Sequence, residues 1–141
     1  MSRVVIFYGP PGGGKGTQAN LLAHLKDFYH FDTGQYIEAL VHDPKLENDP
    51  VIERERKLFD SGVLCTPEWV LEMVKSKVGV LNKAGLSIVF SGSPRTYFEA
   101  FGDEAREGLM SFFDKLYGKE NIFIFLLKIK PETTLKRNTS R

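Results

Sequence analysis

The stretch Gly9-Pro10-Pro11-Gly12-Gly13-Gly14-Lys15-Gly16-Thr17 constrains this chain more than any other feature, because it stands directly between an apolar run and a helical pattern. Glycine tolerates the positive-φ backbone that turns successive N–H groups inward. At the start of a helix, those amides and the helix dipole together form a seat for anionic oxygen, above all phosphate. Lys15 adds a point charge for the outer phosphates of a nucleotide, and the Thr17 hydroxyl offers magnesium an oxygen ligand. Gly12, Gly13, Gly14, Lys15, Gly16 and Thr17 are therefore the expected phosphate-binding residues. A flexible turn alone explains the glycines but not a lysine in register between strand and helix.

The apolar run Val4-Val5-Ile6-Phe7-Tyr8 has counterparts at residues 87–90 and 122–127. Continuous rather than alternating apolarity predicts strands covered on both faces, as in a parallel sheet sandwiched by helices. Tyr29-His30-Phe31 is a shorter, weaker candidate of the same kind. Between these runs, residues 16–26 carry a helical pattern. Asp49-Pro50 opens a second helix bearing Val51, Ile52, Glu55, Leu58 and Phe59, and Ser61-Gly62 stops it. Thr66-Pro67-Glu68 opens a third, in which Val70, Val74, Val78 and Leu81 share one face. Leu109, Phe112, Phe113 and Leu116 mark another, closed by Gly118, and Pro131 begins the last. Strands alternating with helices predict right-handed crossovers and a doubly wound α/β layer. The turn-rich residues 42–50 read as an exposed loop inside a small helical lobe.

Composition narrows the functional classes. At 141 residues, 42% hydrophobic and 26% charged, the chain has the make-up of one folded domain and not of a disordered or fibrous one. Nineteen Lys and Arg against eighteen Asp and Glu leave a formal charge of +1, so no global field recruits nucleic acid or anionic membrane. Any anion site is local. The single Cys65 forms no intramolecular disulfide, no Cys/His spacing suits zinc, and a reducing compartment fits. The longest apolar run falls far short of the roughly 20 residues that span a bilayer, and Met1-Ser2-Arg3 opens no signal peptide. The expectation is a soluble, cytoplasmic monomer without nucleic-acid or membrane partners. The run Arg54-Glu55-Arg56-Lys57 reads as a solvated helix face, and Trp69 as a packing residue. His24, His30 and His42 show no ligand spacing.

In the glycine stretch, Gly16 separates Lys15 from Thr17, which departs from the plain P-loop formula. Residues 9–18 resemble the phosphate loop of adenylate kinases and related nucleoside monophosphate kinases, which ends Gly-Lys-Gly-Thr-Gln. Asp32-Thr33-Gly34 looks like the Ser-Thr-Gly that opens that family's monophosphate-binding lobe, and residues 60–64 resemble the segment that closes it. Ser91-Gly92-Ser93-Pro94-Arg95-Thr96 resembles its Asp-Gly-Phe-Pro-Arg-Thr signature. Residues 131–141 look like the helix entering its lid, with Arg137 and Arg141 at arginine positions.

The resemblance implies a P-loop NTPase-type core at residues 1–32 and 65–141 and a monophosphate-binding lobe at 33–64. It implies reversible phosphoryl transfer from magnesium-ATP to a nucleoside monophosphate, with AMP favoured and ADP as product. By it, residues 12–17 and Arg137 hold the donor, while Thr33, Gly34, the backbone near Cys65, Gly92, Arg95 and Glu99 hold the acceptor. Lys15, Arg95, Arg137 and Arg141 would serve catalysis. In-line transfer between two polyanions asks for positive charge on both sides of the moving phosphoryl, which suits that assignment. Family members continue through a lid and further arginines, so these 141 residues are expected to bind nucleotide with little turnover.

Departures from the family pattern also carry chemistry. Ser91 stands where the family has a carboxylate near magnesium, and Gln35 where a second Asp follows Thr-Gly. Asp32 is the nearest replacement, so Thr17, with Asp32 and Ser91 acting through water, forms the expected magnesium environment. Glu38 occupies an arginine position and would repel an acceptor phosphate unless it simply faces solvent. Glu99 replaces the glutamine that reads adenine; an ionised carboxylate only accepts hydrogen bonds and so suits guanine's N–H groups. Two rivals follow: a kinase acting on GMP, and a nucleotide-binding module that transfers nothing. A small-metabolite kinase on the same core is a weaker third.

Overall fold

Runs of β-branched and aromatic residues extend because their side chains pack well on a pleated surface. In the computed structural model, which describes residues 1–139, four strands form one parallel sheet: β1 (Val4–Tyr8), β2 (Tyr29–Phe31), β3 (Ile88–Phe90) and β4 (Ile122–Leu126). Their spatial order is β2-β3-β1-β4. Helix α1 (Lys15–Lys26) connects β1 to β2. Helices α2 (Thr33–Val41), α3 (Pro50–Asp60) and α4 (Pro67–Lys83) lie between β2 and β3. Helices α5 (Tyr97–Phe101) and α6 (Leu109–Tyr117) precede β4, and α7 (Pro131–Thr139) follows it. No helix among the described residues is long and apolar enough to cross a membrane.

Alternate strand residues face opposite helical layers. Val4, Ile6, Phe31, Ile88 and Phe90 pack with Leu71, Val74 and Val78 of α4 and with Leu109 and Phe113 of α6. The Phe90 ring lies between those of Phe31 and Phe113, with both centroid separations 5.1 Å. On the other face Val5 and Val89 meet Ala19 of α1, with Phe7 and Leu22 at the margin. Both faces of β1 and β3 are thus covered, as a doubly wound α/β fold requires. Each large apolar side chain buried in these layers contributes about 1.5–3 kcal/mol.

The helix boundaries follow local chemistry. Asp49 Oδ1 accepts from the Val51 and Ile52 amides at 2.9 and 3.4 Å, capping α3 beside Pro50. Gly62 then leaves the helix at a φ of 77°. Thr66 precedes α4 but makes no side-chain cap; its hydroxyl donates instead to Glu55.

Two expectations need correction. The run at 122–127 does form a strand, ending at Leu126, yet it is the outer strand and not a covered one: Ile124 is 53% and Leu126 62% exposed. It pairs only with β1, so hydrophobicity alone misjudged its burial. Glu55, read as part of a solvated run, is fully buried. Its carboxylate accepts from the Thr66 N–H at 2.6 Å, the Thr66 hydroxyl at 2.7 Å and Arg54 Nε at 2.8 Å, which is how a buried charge survives. The short α5 went unforeseen because five residues carry too little periodicity to detect.

Strand order also places the binding crevice. With β3 between β1 and β2, the segments leaving the carboxyl ends of all three strands converge on one crevice, where open α/β sheets bind ligands.

Candidate phosphate-binding site

The segment leaving β1 curls as its glycines allow. Gly12 and Gly14 adopt left-handed backbone at φ of 77° and 93°, and the Gly13 amide donates to Pro10 O at 2.9 Å. Gly14 stands at the head of α1 and brings no side chain to cap it, so the helix presents its first amides to the crevice. Lys15 Nζ donates to Gly9 O at 2.7 Å, folding the ammonium across the loop.

A cleft of about 690 Å³ opens between this loop and the segment after β3. Residues 11–17, Asp32 and residues 91–95 line it, so Lys15 and Arg95 share one cleft. The Arg95 guanidinium lies over Gly92, where an added Cβ would sit 3.0 Å from Nη2. A second cleft, of about 840 Å³, lies between the loop and α7, with Gln18, Ile129, Thr133, Lys136 and Arg137 on its wall. Arg137 Nη1 donates to Gly12 O at 2.8 Å and ties α7 to the loop. Arg141 lies outside the described residues.

The residues expected on the acceptor side are less closely gathered. Gly92 and Arg95 line the first cleft; Thr33, Gly34, Cys65 and Glu99 line neither. Thr33 is buried, with its hydroxyl 2.6 Å from that of Ser93. Glu99 turns back into its own loop, where Oε1 accepts from the Arg95 amide at 3.2 Å and the carboxylate also meets the Ser93 hydroxyl. Burial raises its pKa, and those hydrogen bonds with the Arg95 charge offset only part of the rise. Cys65 Sγ points at Glu55 O, 3.6 Å away. Burial and then the Glu55 charge raise the thiol pKa, which makes it a poor nucleophile. Gln35 and Glu38 are exposed on α2, and neither lines the two clefts.

Thr17, Asp32 and Ser91 share the first cleft. Their oxygens are of the hard type magnesium takes, with waters and phosphate completing its octahedron, so the residues present fit that ion. Asp32 Oδ1 also caps α2 by accepting from the Gln35 amide at 3.2 Å. No cluster of three or more His, Cys, Asp or Glu suited to a metal occurs among the described residues.

Sequence spacing missed one constellation. His30 Nε2 lies 2.6 Å from Ser91 Oγ, and His30 Nδ1 lies 2.7 Å from Asn20 Oδ1. Pairing of β2 with β3 sets His30 against Val89, and Ser91 follows two residues later on the same face. That is the face α1 covers, which brings in Asn20. Burial lowers the His30 pKa against the opposing pull of Asp32.

Comparison with known proteins agrees with the geometry. The AAA domain family matches residues 8–141. The adenylate kinase of Thermus thermophilus is 30% identical over 137 residues, covering 97% of this chain and 64% of the relative. That of Thermotoga maritima is 30% identical over 141 residues, covering 100% of this chain and 59% of the relative. For the adenylate kinase of Prochlorococcus marinus the figures are 28%, 100% and 69%. The chain thus spans about three fifths of the length of the first two.

Proposed function

The chain belongs to the AAA domain family and is adenylate kinase-like over nearly its whole length, and from that premise we propose that it transfers a phosphoryl group reversibly between magnesium-ATP and a nucleoside monophosphate, AMP before the others. One observation carries the reading: Lys15 and Arg95 line the same cleft at the carboxyl ends of the strands. Phosphoryl transfer passes through a loose, highly charged transition state, so catalysis is chiefly positioning and charge neutralisation.

In this reading the amides of residues 12–17 seat the donor phosphates, and the Lys15 ammonium leaves Gly9 O for them. Arg95 grips the acceptor phosphate with its planar fork, assisted by Gly92, by Thr33 and Gly34 at the start of α2, and by the backbone near Cys65. Arg137 approaches from the α7 side, and the family resemblance gives Arg141 a catalytic role beside it. Thr17 would ligate magnesium, with Asp32 and Ser91 holding its waters, and the ion would supply charge neutralisation for the phosphates. Glu99 is occupied within its own loop, which favours AMP over a guanine acceptor.

Calorimetry with magnesium-ATP and a coupled ADP assay over AMP, GMP, CMP and UMP test the proposal. Turnover is expected with AMP first, slow in these 141 residues, and Lys15→Met weakens ATP binding about 10- to 150-fold, the worth of a hydrogen bond to a charged group. ATP binding without ADP formation across the panel supports a non-transferring module instead. No heat of ATP association with folded protein refutes both.

A further inference from the structure

Three side chains from three different elements form a hydrogen-bonded line that reaches the phosphate cleft at Ser91. Asn20 comes from α1, His30 from β2, and Ser91 from the residue just after β3. Asn20 Oδ1 only accepts hydrogen bonds, so His30 Nδ1, 2.7 Å away, carries the ring hydrogen. In the neutral ring Nε2 is then the bare acceptor, and Ser91, 2.6 Å from it, donates its hydroxyl proton there. The hydrogen of Ser91 is turned away, leaving the lone pairs of Oγ for the cleft that Ser91 lines together with Lys15 and Thr17. Nucleophile, base and orienting group in hydrogen-bonded order are the arrangement of an activated serine, with an amide in the orienting place as in Cys-His-Asn enzymes.

We propose that Ser91 is itself a phosphoryl acceptor, taking the terminal phosphoryl of a nucleoside triphosphate seated on the loop when no monophosphate occupies the cleft. The inference rests on the reading that residues 12–17 hold such a triphosphate. In the step, the Ser91 Oγ–P bond forms as the bond from the γ-phosphorus to the β–γ bridging oxygen breaks. The hydroxyl proton passes to His30 Nε2, and Asn20 Oδ1 holds the resulting imidazolium through Nδ1–H. The bond's electron pair leaves on the β-phosphate oxygen, giving a nucleoside diphosphate and phosphoserine. The imidazolium then returns its proton to water. Arg95, on the wall formed by residues 91–95, lies near the new phosphate. A monophosphate gripped by Arg95 competes for the same phosphoryl.

The experiment incubates the whole protein with magnesium-ATP and no monophosphate, then reads intact mass and maps the modified peptide. The expected result is a gain of one phosphoryl group, about 80 Da, on Ser91. Ser91→Ala shows no gain, and adding AMP suppresses it in the parent protein. His30→Gln and His30→Phe slow labelling by roughly 100- to 10,000-fold, the usual share of a general base, while their ATP heats in calorimetry persist. An unmodified parent protein that binds ATP overturns the proposal, as does a label that survives Ser91→Ala or forms at the parental rate in both folded His30 variants. Loss of ATP binding in the parent protein is a different failure, and removes the underlying reading along with this one.

Discussion

Replacing Glu55 with glutamine tests whether a buried charge anchors the α2–α3 lobe to α4. The carboxylate is fully buried and accepts three hydrogen bonds, two from Thr66 and one from Arg54. Glutamine keeps one accepting oxygen but turns an NH₂ toward donors, so at least one of those bonds is lost and a donor is left facing a donor. Arg54 is half exposed and its share is screened, which leaves the two Thr66 bonds dominant. Bonds to a charged group are worth about 1.5–3 kcal/mol each, so a net loss of about 3 kcal/mol is expected at pH 7. For a chain of this length that lowers Tm by about 10 °C.

The pH dependence has a definite sign. Burial acts to raise the Glu55 pKa, but the Thr66 and Arg54 hydrogen bonds outweigh it and hold the group below its ordinary value. Its stabilisation is therefore fully present above the unfolded pKa and fades as pH falls through the lower, folded one. Thermal melts of Glu55→Gln and the parent protein at pH 7 should differ widely, and the gap should narrow in acid. A gap below 2 °C at pH 7, or one unchanged by acidification, refutes the reasoning, which rests on the preference of such donors for charged acceptors.

Two further substitutions probe the site. Gly12→Ala places a Cβ 2.9 Å from Asn138 Oδ1 at a φ of 77°, so ATP affinity measured by calorimetry should fall about tenfold for about 1–2 kcal/mol of strain; Asn138→Ala in the same chain should restore only the steric part. Glu99→Gln removes a carboxyl whose raised pKa makes the parent protein lose stability as pH rises through it, so melts should favour the variant at pH 7 and converge below the ordinary carboxylate pKa.

Much of the fold is legible because it is written locally. Val4–Tyr8 reads as a strand from composition alone, and Asp49-Pro50 announces α3 through a cap that forms as expected. The phosphate loop is legible for the same reason, since its glycines, lysine and helix start are contiguous. What escapes depends on partners distant in the chain. Glu55 looks solvated until Thr66, eleven residues on, turns back to meet it. The outer strand β4 is as hydrophobic as a central one, and only the sheet order reveals its exposure. The family resemblance makes Glu99 an expected base reader, yet its hydrogen bond to the Arg95 amide, a single turn away, draws it into its own loop.

His30 shows how far such effects reach. A lone histidine in a three-residue strand carries no spacing signal, and its partner Ser91 stands 61 positions away. Two facts join them: β2 lies beside β3, and the register sets Tyr29, His30 and Phe31 against Ile88, Val89 and Phe90. A slip of one residue would turn His30 onto the opposite face of the sheet, into the layer where Phe31, Phe90 and Phe113 pack. The aromatic packing of Phe31 against Phe90 therefore does more than fill the core. By fixing the register it places an imidazole beside the one hydroxyl that stands where a carboxylate would be expected, and the chemistry of the cleft depends on that apolar contact as much as on any charge within it.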